Sequence, residues 1–211
     1  MTHGETVLVW GGRRGTNHYL PGAELVMFNS ITQRWTTRMT TGEVPPGLTG
    51  AAAAVLDHFM YVVAGWTCSE YKEDIWALNL KTFVWSKLSP EGVPPIRCYD
   101  TAAWSHGDKI WMFGGCGDPP SANQETELGL CGGTYVPLHG GERGFSNQLV
   151  CYNTATNAWE WPATSGPGPS PRAGHCVAKV DDTIYVFGGR QGNCYVNDFY
   201  SLDLNTLRFE N

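Results

Sequence analysis

Four stretches of the chain share one order of apolar and polar positions. Each starts with a run of apolar residues that closes on two small residues, usually two glycines. An Asn or Asp follows, with a Thr three residues later and an aromatic residue three residues after the Thr. The apolar runs are Val7–Gly12, Met60–Gly65, Ile110–Gly115 and Ile184–Gly189. Because they are continuously apolar and rich in β-branched and aromatic residues, they predict inner strands that are buried on both faces.

The aromatic positions define the repeat. They are Trp35, Trp85, Trp159 and Phe209, which are separated by 50, 74 and 50 residues. The second small residue precedes the aromatic by 44 residues in the third unit but by 20 in the second and fourth, so the third unit carries an insertion of 24 residues. We therefore expect four units, at approximately 1–45, 46–95, 96–168 with an insertion at 117–142, and 169–211.

A period near 50 with a double glycine, a polar turn and a tryptophan is the pattern of kelch repeats. The chain resembles kelch proteins, and this resemblance implies an all-β fold in which each unit is one four-stranded blade of a β-propeller. The Asn/Asp-x-x-Thr segments are then turns between the third and fourth strands, and the tryptophans lie between blades. Proline-containing connectors separate the units, at 42–46, 92–95 and 168–171. Helix is expected only at 125–130, inside the insertion.

About four blades is fewer than the six that are usual in kelch rings. The resemblance therefore implies an incomplete set of blades: a fragment, an alternative gene product or an open arc with exposed blade surfaces. The first unit is expected to lack an innermost strand before Val7.

Composition narrows the class of partner. The net charge of −6 argues against a nucleic-acid ligand, because phosphate binding requires an excess of Lys and Arg. No apolar stretch is long enough to span a bilayer, and the first residues do not form a signal peptide, so no membrane partner is expected. The seven cysteines are an odd number without C-x-x-C spacing, which favours reduced thiols in the cytoplasm or nucleus.

Long segments follow each double glycine, at 13–23, 66–74, 116–146 and 190–197. We expect them to be irregular loops on one face of the propeller, around its channel. They supply arginine and aromatic side chains, the mixture typical of interaction hot spots. The predicted binding face for a protein or peptide ligand comprises Arg13, Arg14, Tyr19, Trp66, Tyr71, Cys116, Arg143, Phe145, Arg190 and Tyr195.

Within kelch proteins, the sequence is most similar to the substrate receptors of cullin-RING ubiquitin ligases that recognise C-terminal glycine degrons. The resemblance is carried by the segments 8–12, 19–21, 144–147, 169–173 and 187–190. It implies a substrate-recognition adaptor that binds a C-terminal peptide, with paired basic residues holding the carboxylate, and that reaches a cullin-ligase complex through sequence after the propeller. Arg190 matches the first basic position. At the other four anchor positions the residues of this chain differ from those of the family. Tyr195 stands where the family has a second basic residue, Cys116 where it has tyrosine, Asp100 where it has lysine, and Phe145 where it has tryptophan.

Two other classes remain as alternatives. A kelch-propeller enzyme would need a metal or sugar site in the channel, and a metal requires several convergent imidazoles or thiolates. The histidines are scattered one or two to a unit, and Cys116, Cys131 and His139 have no familiar zinc spacing. We therefore predict no catalytic residue, no bound metal and no cofactor. The second alternative is a truncated product without independent function.

Overall fold

The computed structural model describes residues 1–15 and 18–211. The fold is all-β, and its main strands form four antiparallel sheets in chain order, one for each sequence repeat. Each sheet has four antiparallel strands that follow one another from the inner to the outer edge, so each is one blade, and the kelch fold class is confirmed. In the second sheet, the two-residue strand Thr41–Gly42 adds a fifth member, which pairs parallel with the outermost strand.

The strand bounds follow the chain. The first blade contains β1 (Thr2–His3), β2 (Thr6–Trp10), β5 (Glu24–Asn29) and β6 (Arg34–Met39), with β3 (Arg13–Arg14) and β4 (His18–Tyr19) as a separate ribbon. The second contains β7 (Thr41–Gly42), β8 (Ala52–Leu56), β9 (Phe59–Val63), β10 (Ile75–Asn79) and β11 (Val84–Leu88). The third contains β13 (Ala102–His106), β14 (Lys109–Phe113), β18 (Leu149–Asn153) and β19 (Ala158–Glu160). The fourth contains β20 (Cys176–Val180), β21 (Thr183–Gln191), β22 (Cys194–Asp203) and β23 (Arg208–Glu210).

The expectation that the first unit lacks an innermost strand is wrong. Strand β1 pairs antiparallel with β2, with Thr2 opposite Val7 and His3 opposite Thr6. Gly4, at φ +56°, supplies the left-handed conformation that the tight turn between them requires. Thr2 and His3 therefore form the innermost strand of the first blade.

The insertion in the third unit is ordered. Helix α1 (Ala122–Leu130) is longer than the turn expected at 125–130, and it starts with a capping box between Ser121 and Gln124. Around it, β12 (Cys98–Tyr99), β15 (Cys116–Gly117), β16 (Tyr135–Pro137) and β17 (Gly144–Ser146) form a sheet of their own in the order β12-β15-β17-β16. The Ser-x-x-Gln spacing at 121–124 is the feature of the sequence that could have located the start of this helix.

The predicted loops after the double glycines are largely short β-ribbons, which corrects the expectation of irregular structure. In the fourth blade, β21 continues past a bulge at Gly188–Gly189, and Arg190 pairs with Tyr195, leaving only a short turn at the tip. The first blade has the β3–β4 ribbon, and the second has the bridge Trp66–Tyr71. Thr16 and Asn17, within the predicted loop 13–23, lie outside the described residues.

The polar turns are confirmed. In each blade the side chain of the leading Asn or Asp accepts backbone N–H groups two and three residues later, as Asn79 does from Lys81 and Thr82. Asn29, Asn153 and Asp203 make the same pair of bonds in their own turns. These hydrogen bonds provide acceptors for the backbone N–H groups of the turn between the third and fourth strands, so the turn can remain short.

The core lies between neighbouring blades. One buried cluster joins the first and second blades, another the second and third, and a third the third and fourth. The predicted burial of Trp85 and Trp159 is confirmed, and Phe209 takes the same place in the fourth blade. Trp35 of the first blade is instead 62% exposed. The repeat therefore places one aromatic plate in each of the three junctions between blades.

Candidate functional site

Two adjoining depressions lie at the end of the blades where the ribbons continue past the double glycines. Two kinds of segment form them: these ribbons and the segments that precede the innermost strands. Each segment of the second kind forms a β-bridge or strand pair with a ribbon. Thr49 bridges to Trp66, Tyr99 pairs with Cys116, and Ala173 bridges to Arg190. The backbone therefore brings side chains from distant repeats to one surface.

The first depression has a volume of about 300 Å³ and is walled by aromatic rings. Trp66 packs on Tyr71 with ring centroids 4.4 Å apart, and Tyr71 stacks on Tyr99 at 5.5 Å. Two guanidinium groups, those of Arg13 and Arg143, lie at its edge. The arrangement offers an aromatic wall beside positive charge, which suits a peptide that carries an acidic group.

The second depression has a volume of about 180 Å³ and lies between the third and fourth blades. Its side-chain walls are Phe145, Cys116, Arg190 and Tyr195. Phe145 and Cys116 are buried, whereas Tyr195 is 85% exposed. Tyr99 and Asp100 line both depressions, so the two form one continuous surface. We call this surface the basic–aromatic face.

Arg190 is held in place by three interactions. Its backbone exchanges two hydrogen bonds with Ala173, its Nε donates to the carbonyl of Gly192 at 2.7 Å, and its guanidinium lies 5.7 Å from the centroid of the Phe145 ring. Among the described residues, neither of its Nη groups donates a hydrogen bond. A fixed guanidinium with free donors is suited to bind a carboxylate through two parallel bonds.

Arg190 does not pair with Asp198, the carboxylate on the adjacent strand. Both oxygens of Asp198 accept from Arg172, whose side chain is fully buried. Arg172 also donates to the carbonyls of Gly188 and Ser170, and so ties the connector to the strand that carries Arg190. The sequence analysis missed this residue as a structural support of the face.

The basic–aromatic face carries more positive than negative charge, and its surroundings shift the pKa of several of its groups. The phenol oxygen of Tyr71 interacts with the Arg143 guanidinium and raises the pKa of that group. Solvent reaches Asp100, but the surrounding protein partly desolvates its carboxylate and raises its pKa, while the charge of Arg13 acts in the opposite direction. Burial raises the pKa of the Cys116 thiol despite nearby Arg143 and Arg190, so this group is a thiol at neutral pH. The face therefore combines three arginines with one carboxylate and no reactive thiolate.

Eight of the ten predicted binding residues line the two depressions: Arg13, Trp66, Tyr71, Cys116, Arg143, Phe145, Arg190 and Tyr195. Arg14 and Tyr19 line neither of them, although Tyr19 pairs with Arg13 in the β3–β4 ribbon. Tyr99 was missed, and Asp100 was considered only as the counterpart of a family lysine, because the predicted face was drawn from segments that follow the double glycines. Their position immediately before an innermost strand was the available signal.

A metal site has no geometric support in the part of the chain that the structure describes. Within residues 1–15 and 18–211, no group of three or more His, Cys, Asp and Glu side chains could hold a metal ion. The same residues include no helix that is both long and apolar enough to cross a membrane.

The fold and this face define a kelch-type propeller domain. The chain matches the family described as the KLHDC2/KLHL20/DRC7 Kelch-repeats domain over residues 1–125 and 116–211, and it therefore belongs to the kelch-repeat family. Kelch domain-containing protein 2 of Bos taurus is 30% identical over 98% of this chain and 53% of the relative. Kelch domain-containing protein 1 of Mus musculus is 28% identical over 98% of this chain and 52% of the relative. Kelch domain-containing protein 10 of Rattus norvegicus is 26% identical over 99% of this chain and 47% of the relative.

The chain spans about half the length of the curated relatives that it matches. Family membership supports a protein-interaction domain.

Proposed function

We propose that this kelch domain binds a peptide that ends in, or carries, a free carboxylate on the basic–aromatic face, and that it acts as a substrate-recognition adaptor for ubiquitin ligation. The observation that supports this most directly is the fixed guanidinium of Arg190, with its free Nη groups at the second depression. The aromatic wall of the first depression would contact the preceding residues of the peptide. Binding requires no catalytic group, metal or cofactor.

The negative charge of Asp100 should affect which peptides bind. Its carboxylate lies between the depressions and opposes a second negative charge. We therefore expect one carboxylate to be accommodated at Arg190 and an acidic residue elsewhere in the peptide to be tolerated only near Arg13 or Arg143. Peptides with aromatic or apolar residues before their terminus should bind better than polyacidic ones.

The adaptor role would place the protein in the cytoplasm or nucleus, with a cullin-ligase complex as a further partner. The free state of all seven cysteines is consistent with a reducing compartment. The names of the relatives say only that they contain a kelch domain. The proposed connection to a ubiquitin ligase therefore rests on the sequence segments that resemble the cullin-RING substrate receptors.

The test uses peptides that differ only at the C-terminus, free or amidated, with affinity measured by isothermal titration calorimetry. We expect amidation to weaken binding to the parent protein. Arg190→Ala should remove a charged hydrogen bond worth about 1.5–3 kcal/mol and so weaken the free peptide by about one to two decades. Arg14→Ala is the matched control, since Arg14 lines neither depression.

Two results would contradict the proposal. Equal affinity of the parent protein for free and amidated peptides would exclude carboxylate recognition. Equal losses in Arg190→Ala and Arg14→Ala would indicate diffuse charge attraction instead of a defined site. The adaptor role is tested separately, by fusing a selected peptide to a fluorescent reporter in cells. Reporter levels should fall with the parent protein and recover with Arg190→Ala; unchanged levels would contradict ligation while leaving peptide binding intact.

A further inference from the structure

The same backbone position recurs just before the innermost strand of three blades. Gly50, Asp100 and Gly174 each lie two residues before such a strand. Their φ angles are +62°, +53° and +64°. Glycine adopts this left-handed conformation freely, whereas a residue with a Cβ is disfavoured there. The third blade is therefore exceptional, because it has a carboxylate where the second and fourth blades have glycine.

Hydrogen bonds join these three positions from blade to blade. The N–H of Asp100 donates to the carbonyl of Gly50, and the N–H of Gly174 donates to the carbonyl of Asp100, both at 2.8 Å. A Cβ at Gly50 would lie 2.5 Å from Asp100 Oδ1, so glycine in the second blade leaves room for this carboxylate. A Cβ at Gly174 would meet no atom within 4 Å, so the space beside the fourth blade is open. The Asp100 backbone is thus fixed from both sides, next to a space that a ligand can enter.

The Asp100 carboxylate has no direct partner. Among the described residues, it accepts no hydrogen bond and forms no ion pair. The surrounding protein partly desolvates it, and the charge of Arg13 attracts it without forming a contact. A carboxylate in such surroundings interacts more strongly with a cation than one in open water does. It is therefore a free acceptor for a positively charged group of the ligand.

Asp100 and Arg190 both line the second depression, so a short peptide segment in it meets a carboxylate and a guanidinium together. The rings of Tyr99 and Tyr195 line the same depression, and they suit the alkyl stem and the charge of a basic side chain. We propose, on the basis of the function proposed above, that the ligand is a peptide with Lys or Arg among its last two residues. Its terminal carboxylate binds Arg190, and its basic side chain binds Asp100.

This pairing removes a repulsion that other peptides would meet. A terminal carboxylate held at Arg190 is opposed by the negative charge of Asp100 when the rest of the peptide segment is uncharged. A basic side chain in the same segment neutralises Asp100, so the two charges of the ligand complement the two charges of the depression. The identity of the residue at position 100 therefore selects for a basic residue near the end of the peptide.

Two sets of peptides test the pairing by isothermal titration calorimetry. Lysine or norleucine is the last residue in one set and the penultimate residue in the other, and each peptide is made with a free and an amidated C-terminus. Norleucine has the alkyl chain of lysine without the ammonium group. In one of the two sets, we expect the parent protein to bind the free lysine peptide about fivefold to tenfold more tightly than the free norleucine peptide.

Two variants of Asp100 should abolish this preference. Asp100→Asn and Asp100→Gly both remove the charge, and the ratio of the two affinities should fall to about one in each. Asp100→Gly restores the residue of the equivalent positions and so cannot strain the backbone. The norleucine peptide, which has no basic side chain, is the one whose affinity Asp100→Asn should raise. Asp108→Asn is the matched control, since its turn contributes to neither depression, and it should keep the full preference for lysine.

Three outcomes would overturn this inference while leaving the proposed function intact, provided that amidation still weakens binding. The parent protein could bind lysine and norleucine peptides equally in both sets. Both Asp100 variants could retain the preference for lysine, which would place the cation elsewhere. Asp108→Asn could lose the preference as completely as they do, which would indicate general charge attraction. Indifference to amidation in every peptide would instead contradict the carboxylate anchor at Arg190, and the pairing with it.

Discussion

Arg172 and Asp198 form a two-bond ion pair that joins the connector before the fourth blade to the second of its central strands. The Nη1 and Nη2 atoms of Arg172 lie 2.6 and 2.9 Å from the two carboxylate oxygens of Asp198. The guanidinium is fully buried, and the ring of Tyr200 lies 5.4 Å from it. Arg190 is carried by the neighbouring strand, so this pair fixes the backbone on which the proposed carboxylate anchor depends.

Asp198→Asn should destabilise the protein substantially. It leaves the buried Arg172 charge with only carbonyl and hydroxyl acceptors, and removing one partner of a buried pair costs about 3–5 kcal/mol. The free energy of unfolding, measured by urea denaturation followed by circular dichroism, gives the value. Asp181→Asn, an exposed turn residue, is the control and should cost less than about 0.5 kcal/mol. Similar losses for both would mean that the pair contributes no net stability.

Trp85 and Trp35 occupy equivalent positions but should respond differently to truncation. Trp85 is 1% exposed, and its Nε1 donates to Thr40 Oγ1 at 2.9 Å across the junction between the first two blades. Trp85→Ala should therefore cost about 3–5 kcal/mol, the range for large aromatics deleted from cores. Trp35→Ala should change the stability of dilute protein by about 0.5 kcal/mol or less, because most of that ring is exposed.

Thermal melts of the two variants at low protein concentration provide the comparison. A Trp85→Ala protein that melts within a degree or two of the parent would contradict the assignment of Trp85 as an inter-blade plate.

His175 should make stability depend on pH. The ring is buried edge-on against Phe113, and neither of its nitrogens has a hydrogen-bond partner among the described residues. Burial, with a smaller contribution from the Arg172 charge, lowers the pKa of His175 to about 4. The unfolded chain, with an ordinary pKa near 6.5, therefore binds more protons between pH 4 and 6.5. The stabilisation is fully present above pH 6.5 and is lost as the pH falls through this window.

The expected loss on moving from pH 7 to pH 4 is about 3 kcal/mol from this residue. Urea denaturation at a series of pH values measures it, and His175→Phe should remove most of the pH dependence in this window. His58→Phe, at a half-buried position in another turn, is the control and should keep it. An unchanged slope in His175→Phe would show that other groups titrate on unfolding.

The repeat could be predicted from sequence because its determinants are local. The Asn79 turn, the double glycines and the Trp85 plate each need only a few residues at fixed spacing, and the structure places them as expected. The ribbons beyond the glycines were not predicted, because their pairing depends on a bulge that restores register after Gly188. Tyr99 reaches the basic–aromatic face through pairing with Cys116, immediately before the insertion, a contact that no periodicity encodes.

Asp100→Asn should strengthen binding of a peptide with a free C-terminus. The Asp100 carboxylate lies between the two depressions, where it repels a ligand carboxylate held at Arg190. Its backbone is left-handed, at φ +53°, a conformation that asparagine tolerates, so the change removes charge with little strain. Solvent-screened charge pairs are worth about 0.2–1 kcal/mol, which corresponds to a gain of up to about fivefold in affinity.

Calorimetric titration of the free and amidated peptides into Asp100→Asn distinguishes repulsion from a change in shape. The gain should be confined to the free peptide, since the amidated one has no terminal charge to repel. Asp108→Asn, in a turn between β13 and β14 that contributes to neither depression, is the control and should leave both affinities unchanged. Weaker binding of the free peptide by Asp100→Asn would instead mean that Asp100 holds Arg13 in its binding position, because its charge and that of Arg13 attract each other.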